Sequence, residues 1–284
     1  MSQQLPVEFV ASMREMLGED AERLFAALDT EPATSIRLNP NKPARVFDGE
    51  KIGWSTWGRY LSERPQFTLD PLMHGGAYYV QEASSQFVGY LLKDDDMQGR
   101  RVLDMCAAPG GKSTQIATYI GDTGLLWSNE FVPSRARILQ QNLERWGVRN
   151  QVVSSRDTGP LCEGLRDFFD AVLVDAPCSG EGMFRKEPQA LTEWSLDNIH
   201  LCAARQDEIL HNASTAVKPG GRIVYSTCTF APEENEGVVC RFLQNHPDFS
   251  LEPIAVDWGC AGFSAERIRP FHPDVDSRFD LTYC

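Results

Sequence analysis

The chain has 284 residues, 42% hydrophobic and 24% charged, which suits one large domain or a main domain with an appendage and excludes disordered, collagen-like and fibrous classes. No stretch approaches the roughly 20 uninterrupted apolar residues of a membrane span, and the N-terminus MSQQLPVEFVASMREMLGED lacks the basic-then-apolar order of a secretory signal, so a cytoplasmic protein without membrane contact is expected. A formal charge of −13, from 27 basic and 40 acidic residues, argues against holding nucleic acid by bulk electrostatics but leaves room for a local basic groove. The 8 cysteines are too sparse for a disulfide scaffold and include no C-x-x-C pair, so free thiols and no metal site are expected.

Residues 1 to about 75 look like a small α+β appendage. Pro6 to Leu17 has helical spacing through Phe9, Met13, Met16 and Leu17, whereas residues 31–79 carry Pro32, Pro40, Pro43, Pro65 and Pro71 among scattered aromatics. A soft boundary falls near Gly75. Beyond it the pattern predicts a helix from Glu82 to Leu92, a charged break from Lys93 to Asp96 and a strand from Arg101 to Met105. A helix at Gly111–Ile120, a strand at Leu125–Ser128, a helix opened by Pro133 and ending at Trp146, and a strand at Gln151–Ser154 follow. Ala171 to Asp175 (AVLVD) is almost all apolar, as a strand buried on both faces requires, and Arg222 to Thr227 is another strand after the turn Lys218-Pro219-Gly220-Gly221. Helices near Leu196–Ala216 and Pro232–Asn245 complete the alternation. Strands alternating with helices imply an α/β fold with a doubly wound, mostly parallel sheet, whose ligands sit beyond the carboxyl ends of the strands.

Asp104-Met105-Cys106-Ala107-Ala108-Pro109-Gly110-Gly111-Lys112-Ser113 joins the first of these strands to a helix. A P-loop would need glycine at residue 106, which is cysteine, and the G-x-G-x-x-G dinucleotide pattern is missing. What is left is a close backbone approach to a ligand at a helix N-terminus, where free N–H groups favour a carboxylate. An amino-acid-bearing cofactor such as S-adenosylmethionine fits. Glu130, at the end of the second strand, is placed to accept both hydroxyls of a ribose; Asp157 follows the third strand, where an adenine contact is expected, and Asp175 closes the fourth. Each acid alone reads equally as a solvated loop residue or a helix cap.

Cys178 directly follows the AVLVD strand and Cys228 directly follows RIVYS. If the two strands are neighbours, about 4.8 Å apart, both thiols can reach one small ring at the cofactor edge. Cys162, Cys202 and Cys240 read as buried small hydrophobes. A thiolate added to C6 of cytosine makes C5 nucleophilic enough to take a methyl group from a sulfonium. Asp175 is the natural proton source for N3, and a second cysteine can assist elimination. Such a base must be unstacked, so the substrate is expected to be single-stranded, looped or flipped. Spacing alone treats the two thiols alike.

Together these segments resemble the RsmB/NOP-type RNA cytosine-5 methyltransferases, and within them the RsmF-like 16S ribosomal RNA enzymes. The resemblance runs over about residues 5–260, through YVQEASS at 79–85, DMCAAPGGKST at 104–114, NE at 129–130, DAPCSGEGMFRK at 175–186 and YSTCTFAPEENE at 225–236. It implies a Rossmann-like S-adenosylmethionine-dependent methyltransferase fold over residues 76–284, behind an RNA-contacting α+β appendage at 1–75. It further implies cofactor binding by Cys106, Ala107, Ala108, Pro109, Gly110, Gly111, Lys112, Glu130, Asp157 and Asp175, with Arg135 a further candidate. By the same resemblance Cys228 is the nucleophile and Cys178 helps release the product; in DNA cytosine-5 methyltransferases the cysteine matching Cys178 attacks instead. Similar proteins continue into a strand with a Gly-Glu-Gly-Phe-Phe-like segment and then into C-terminal RNA-binding domains. Here Arg269-Pro270-Phe271-His272-Pro273 leads to Asp276-Ser277-Arg278-Phe279, so the last strand is unassigned and the chain is expected to be part of a longer protein. Arg185 and Lys186 are candidate phosphate contacts. The rival readings are a methyltransferase acting on transfer RNA or DNA and a non-catalytic module that assists ribosome assembly.

Overall fold

A computed structural model describes residues 4–42, 49–92, 97–254, 256 and 262. In chain order the described elements are α1 (Val7–Leu17), α2 (Asp20–Leu28), β1 (Thr34–Leu38), β2 (Gly58–Leu61), α3 (Pro71–His74), β3 (Tyr78–Val80), α4 (Ala83–Leu91), β4 (Arg101–Asp104), α5 (Gly111–Ile120) and β5 (Leu125–Asn129). They continue with α6 (Pro133–Trp146), β6 (Gln151–Ser154), α7 (Thr158–Gly164), β7 (Phe169–Asp175), α8 (Pro188–Glu193), α9 (Leu196–Ala216), β8 (Val217–Ser226) and α10 (Glu236–Asn245). The expected charged break at Lys93–Asp96 and the segment Arg269–Phe279 lie outside the described residues. Two compact units result, one of residues 33–175 and 212–225, the other of residues 1–32, 176–211 and 226–284.

The first unit is built on a five-stranded sheet in the order β6-β5-β4-β7-β8, with parallel ladders from β6 across to β7. β4 lies between its successor β5 and the later β7, so the winding reverses there and a crevice opens at the carboxyl ends of β4 and β7. The apolar run of β7 is buried from Ala171 to Val174, as a central strand covered on both faces must be. Val102, Ile116, Ile120, Leu126, Leu139, Leu143 and Leu173 form the centre of its core. α6 shows the local logic: Pro133 opens it, Ala136, Leu139, Leu143 and Trp146 make its buried stripe, and Gly147 ends it at φ 95°. α4 packs tightly on α5 because Gly89 has no side chain; a Cβ there would lie 2.0 Å from the Gln115 amide carbon. A separate antiparallel sheet, β2-β1-β3, pairs Ile36 with Arg59 on one side and Val80 on the other.

In the second unit α1 turns Phe9, Met13 and Met16 inward, as the spacing predicts, against Phe184, Trp194, Ile199 and Ala231. Phe9 meets the rings of Phe25, Phe184 and Trp194 edge-on at 5.0–6.3 Å. Two element starts depart from expectation by more than two residues. β8 begins at Val217, not Arg222, and α10 begins at Glu236, because Ala231 to Asn235 are folded into turns, with the Glu234 N–H donating to the Ala231 carbonyl and the Gly237 N–H to Pro232.

Candidate active site: a cofactor cavity and a thiol pair

The loop from β4 to α5 lines a cavity in the first unit. Cys106, Ala107, Ala108, Pro109, Gly111 and Lys112 contribute to it together with Asp104, Asp175 and, from β3 and α4, Tyr79, Val80, Gln81, Glu82 and Ser85. Gly110 caps α5 at φ 111°, a backbone state that favours glycine, and a Cβ on it would press to 3.1 Å against Leu139. Lys112 Nζ donates to Asp175 Oδ2 at 2.6 Å, linking the first turn of α5 to the end of β7. Asp104 is fully buried; its Oδ2 accepts the Ser113 hydroxyl at 2.6 Å, while Oδ1 has no hydrogen bond of normal geometry. Burial pushes the Asp104 carboxyl up to about 7 against the opposing pull of the Ser113 bond, and the Asp175 charge adds to the rise. Burial, then the charges of Asp104, Asp175 and Glu130, raises the Cys106 thiol well above the ordinary range, which disfavours its thiolate.

The remaining expected cofactor residues do not line this cavity. Glu130 is buried, its Oε1 accepting the Val132 N–H at 3.0 Å and its Oε2 lying 3.3 Å from Arg135. Arg135 also donates to the Ala108 carbonyl at 3.1 Å, so the pair braces the outside of the loop. Asp157 caps α7 by accepting the Gly159 N–H at 2.9 Å. The cavity residues that sequence reasoning left without a role are Asp104 and the β3–α4 group Tyr79, Gln81, Glu82 and Ser85. Their signal was the YVQEASS segment, whose position on the cavity wall depends on pairing of β3 with β1, 40 residues earlier. The cavity fits a zwitterionic ligand: first-turn N–H groups of α5 for a carboxylate, and the carboxyls of Asp104 and Asp175 on the wall for a donor.

In the second unit the segments that follow β7 and β8 run side by side, the Ala176 N–H donating to the Ser226 carbonyl at 2.8 Å. Cys178 and Cys228 then meet with their sulfurs 3.1 Å apart, and the Cys228 N–H donates to Cys178 Sγ at 3.3 Å. The Gly182 N–H donates to the Cys228 carbonyl at 2.7 Å, an approach open only to glycine because a Cβ would sit 2.6 Å from that oxygen. The thiols are not equivalent. Cys228 is exposed and Cys178 half-buried. Its hydrogen bond to Cys228, and then burial, holds the Cys178 thiol far above the usual range, so it stays protonated and can donate to its neighbour. Cys162, Cys202 and Cys240 are buried, Cys162 with its thiol pushed up to about 12 by burial. Arg185 donates weakly to the Ala27 carbonyl at 3.5 Å.

A doubly wound sheet with a cavity at its reversal point and a glycine-rich β–α loop on the cavity wall defines a Rossmann-like S-adenosylmethionine-dependent methyltransferase fold. Solved structures agree: a methyltransferase homolog from Pyrococcus horikoshii is 30% identical with a TM-score of 0.79, over 92% of this chain and 84% of that one. PH0851 is 28% identical with a TM-score of 0.83, over 90% of this chain and 60% of that one. The family model for 16S rRNA methyltransferase RsmB/F matches residues 90–280, and that for the N-terminal domain of 16S rRNA methyltransferase RsmF matches residues 5–83. The chain belongs to the RsmB/F family. Among its relatives, ribosomal RNA small subunit methyltransferase F of Salmonella arizonae is 46% identical over 261 residues, 86% of this chain and 54% of that protein. The chain thus spans about half the length of the curated relatives it matches.

Proposed function

We propose that the chain carries the catalytic chemistry of an S-adenosylmethionine-dependent RNA cytosine-5 methyltransferase, acting on 16S ribosomal RNA of the small subunit in the cytoplasm. The observation that carries this reading is the 3.1 Å approach of two thiols on loops following adjacent strands. Methyl transfer to an oxygen or nitrogen needs no thiol; transfer to C5 of a pyrimidine needs one, because the carbon becomes nucleophilic only after addition at C6. A second thiol then serves the elimination. Membership of the RsmB/F family supports the ribosomal RNA substrate over transfer RNA or DNA.

Bound in the cavity, the cofactor supplies an electrophilic sulfonium methyl group. First-turn N–H groups of α5 would hold its carboxylate, and Asp104, Gln81, Glu82 and Ser85 are polar groups on the wall that would face the rest; Glu130 and Asp157, outside that wall, are the proposed ribose and adenine ligands. Cys228, the exposed thiol, loses its proton to solvent and adds as thiolate to C6 of the cytosine, and the C5–C6 electron pair moves into the ring as N3 takes a proton from solvent, relayed by the Asp175 carboxylate. Once C5 carries the methyl group, the C5 proton leaves to water, N3 returns its proton by way of Asp175, and the restored C5–C6 pair expels Cys228 as thiolate. The Cys178 thiol donates to Cys228 at the start and receives its departing charge at the end, which makes Cys228 the better leaving group. Phosphate contacts are assigned to the strip from Phe131 to Arg156, which carries five arginines and one acidic residue, Glu144, in a chain of net charge −13. The residues before Gly75, Arg185 and Lys186 are further proposed contacts. Bisulfite mapping of ribosomal RNA from cells with and without the gene tests the whole reading. A single 16S cytosine should lose its mark without the gene and stay unmarked with Cys228→Ala; an unchanged 16S pattern, or a lost mark in transfer RNA, refutes it.

A further inference from the structure

We propose that Glu181 and Glu234 are a reciprocal pair of positioning residues, each carried on one cysteine's loop and holding the other cysteine's loop. This rests on the thiol chemistry proposed above and deepens it. Glu181 follows Cys178 by three residues and is 1% exposed. Its Oε2 accepts the Thr229 hydroxyl at 2.9 Å and the Phe230 N–H at 2.8 Å, directly after Cys228, and its Oε1 accepts Trp194 Nε1–H at 2.9 Å. Glu234 follows Cys228 by six residues and is fully buried. Its Oε2 accepts the Ser179 N–H at 3.0 Å, directly after Cys178, and Gln206 Nε2–H at 2.7 Å. The hydroxyls of Ser179 and Thr229, 2.8 Å apart, join the two halves, and Gln206 reaches on to the Pro177 carbonyl at 3.0 Å.

The partners named for Glu181 are neutral donors, and removing a carboxylate from water costs several kcal/mol that neutral donors return only in part. Burial accordingly raises both carboxyls above their ordinary value, opposed by these hydrogen bonds. Loop burial by apolar contacts would avoid that cost. What the exchanged carboxylates supply instead is direction: Glu234 fixes the Ser179 backbone after Cys178, and Glu181 fixes the Thr229 hydroxyl and the Phe230 backbone after Cys228, which apolar packing does not. Glutamine in either place offers an N–H₂ where an acceptor is required.

The test is the rate at which an azodicarboxamide oxidant closes a Cys178–Cys228 disulfide, followed by peptide mass spectrometry. Two thiols lose two protons and two electrons, and the azo group is reduced to a hydrazine. Glu181→Gln and Glu234→Gln should each slow closure about tenfold or more, since a displacement near 1 Å is enough for losses of that size. Binding of S-adenosylhomocysteine should stay within about twofold. Loss of a negative charge alone would favour thiolates and speed closure, so the sign separates positioning from electrostatics. Closure at the wild-type rate in folded variants overturns the proposal. Should both variants fail to fold, Thr229→Val, which deletes one hydroxyl of the link, must slow closure, and an unchanged rate there is equally fatal. No RNA or methyl donor is present, so a chain that methylates nothing yet shows the slowed closure would sink the functional reading and leave the brace standing.

Discussion

The Asp104 carboxyl is buried beneath the β4–α5 loop, which pushes it up to about 7, whereas in the unfolded chain it ionises near the ordinary 3.8. Between those values the native state binds the extra proton, so this group's contribution to stability falls as pH rises through the window and levels off above it. Asp104→Asn removes that dependence. Urea unfolding of both cofactor-free proteins from pH 4.5 to 7.5 should show wild type losing ground to the variant as pH rises, by on the order of a few kcal/mol over the window. The carboxyls of Glu181 and Glu234 are common to both proteins and cancel in the difference. A gap that widens in favour of wild type would contradict the burial argument. Sequence placed Asp104 at a strand end but gave no hint of its protonation, which arises from complete burial in spite of the Ser113 hydrogen bond. The cysteines were better signalled, because each follows an apolar strand directly. Their inequality was not, since exposure and the hydrogen bond between them exist only in three dimensions.

At the scale of elements, the route taken by the Gly182 backbone fixes the Cys228 loop. Gly182→Ala puts a methyl group 2.6 Å from the Cys228 carbonyl oxygen, and one of the two segments must shift. Methyl transfer should fall about tenfold or more while thermal unfolding changes by about 1–3 kcal/mol. Single-turnover kinetics at saturating cofactor measures the first quantity, and a rate within twofold of wild type would show that the loop tolerates the displacement. The helices α5, α6 and α9 were legible to the residue because glycine, proline and long apolar stripes mark their ends and faces. β1, β2 and β3 were not. They are 3–5 residues long, lie among prolines, and are held by pairing across up to 44 positions, as between Ile36 and Val80. β1 also buries a charge that no alternation pattern anticipates: Arg37, completely buried, donates to Gln81 at 2.8 Å and to Gly111 at 3.0 Å, with its guanidinium 4.4 Å above the Trp146 ring. The short helices α7 and α8 were missed for the same reason of length.

For the whole molecule, the charge of −13 and the arginine strip of α6 and its flanks oppose one another. RNA affinity should therefore be weak and steep in salt. Arg137 and Arg149 are exposed, and charge reversal at both should lower the slope of log affinity against log salt by about 1–2. A slope unchanged in fluorescence anisotropy titrations would move the RNA path elsewhere. The largest demand on the molecule is that one cytosine be reached by Cys228 and by the methyl donor within a single event. Trapping answers that demand most directly: Cys178→Ala, incubated with 16S RNA and S-adenosylmethionine and then digested with nuclease, should retain a methylated cytidine nucleotide on the peptide that contains Cys228, because addition proceeds and release is slowed. A nucleotide found instead on Cys178 of the Cys228→Ala protein, with none on Cys228, would contradict the account.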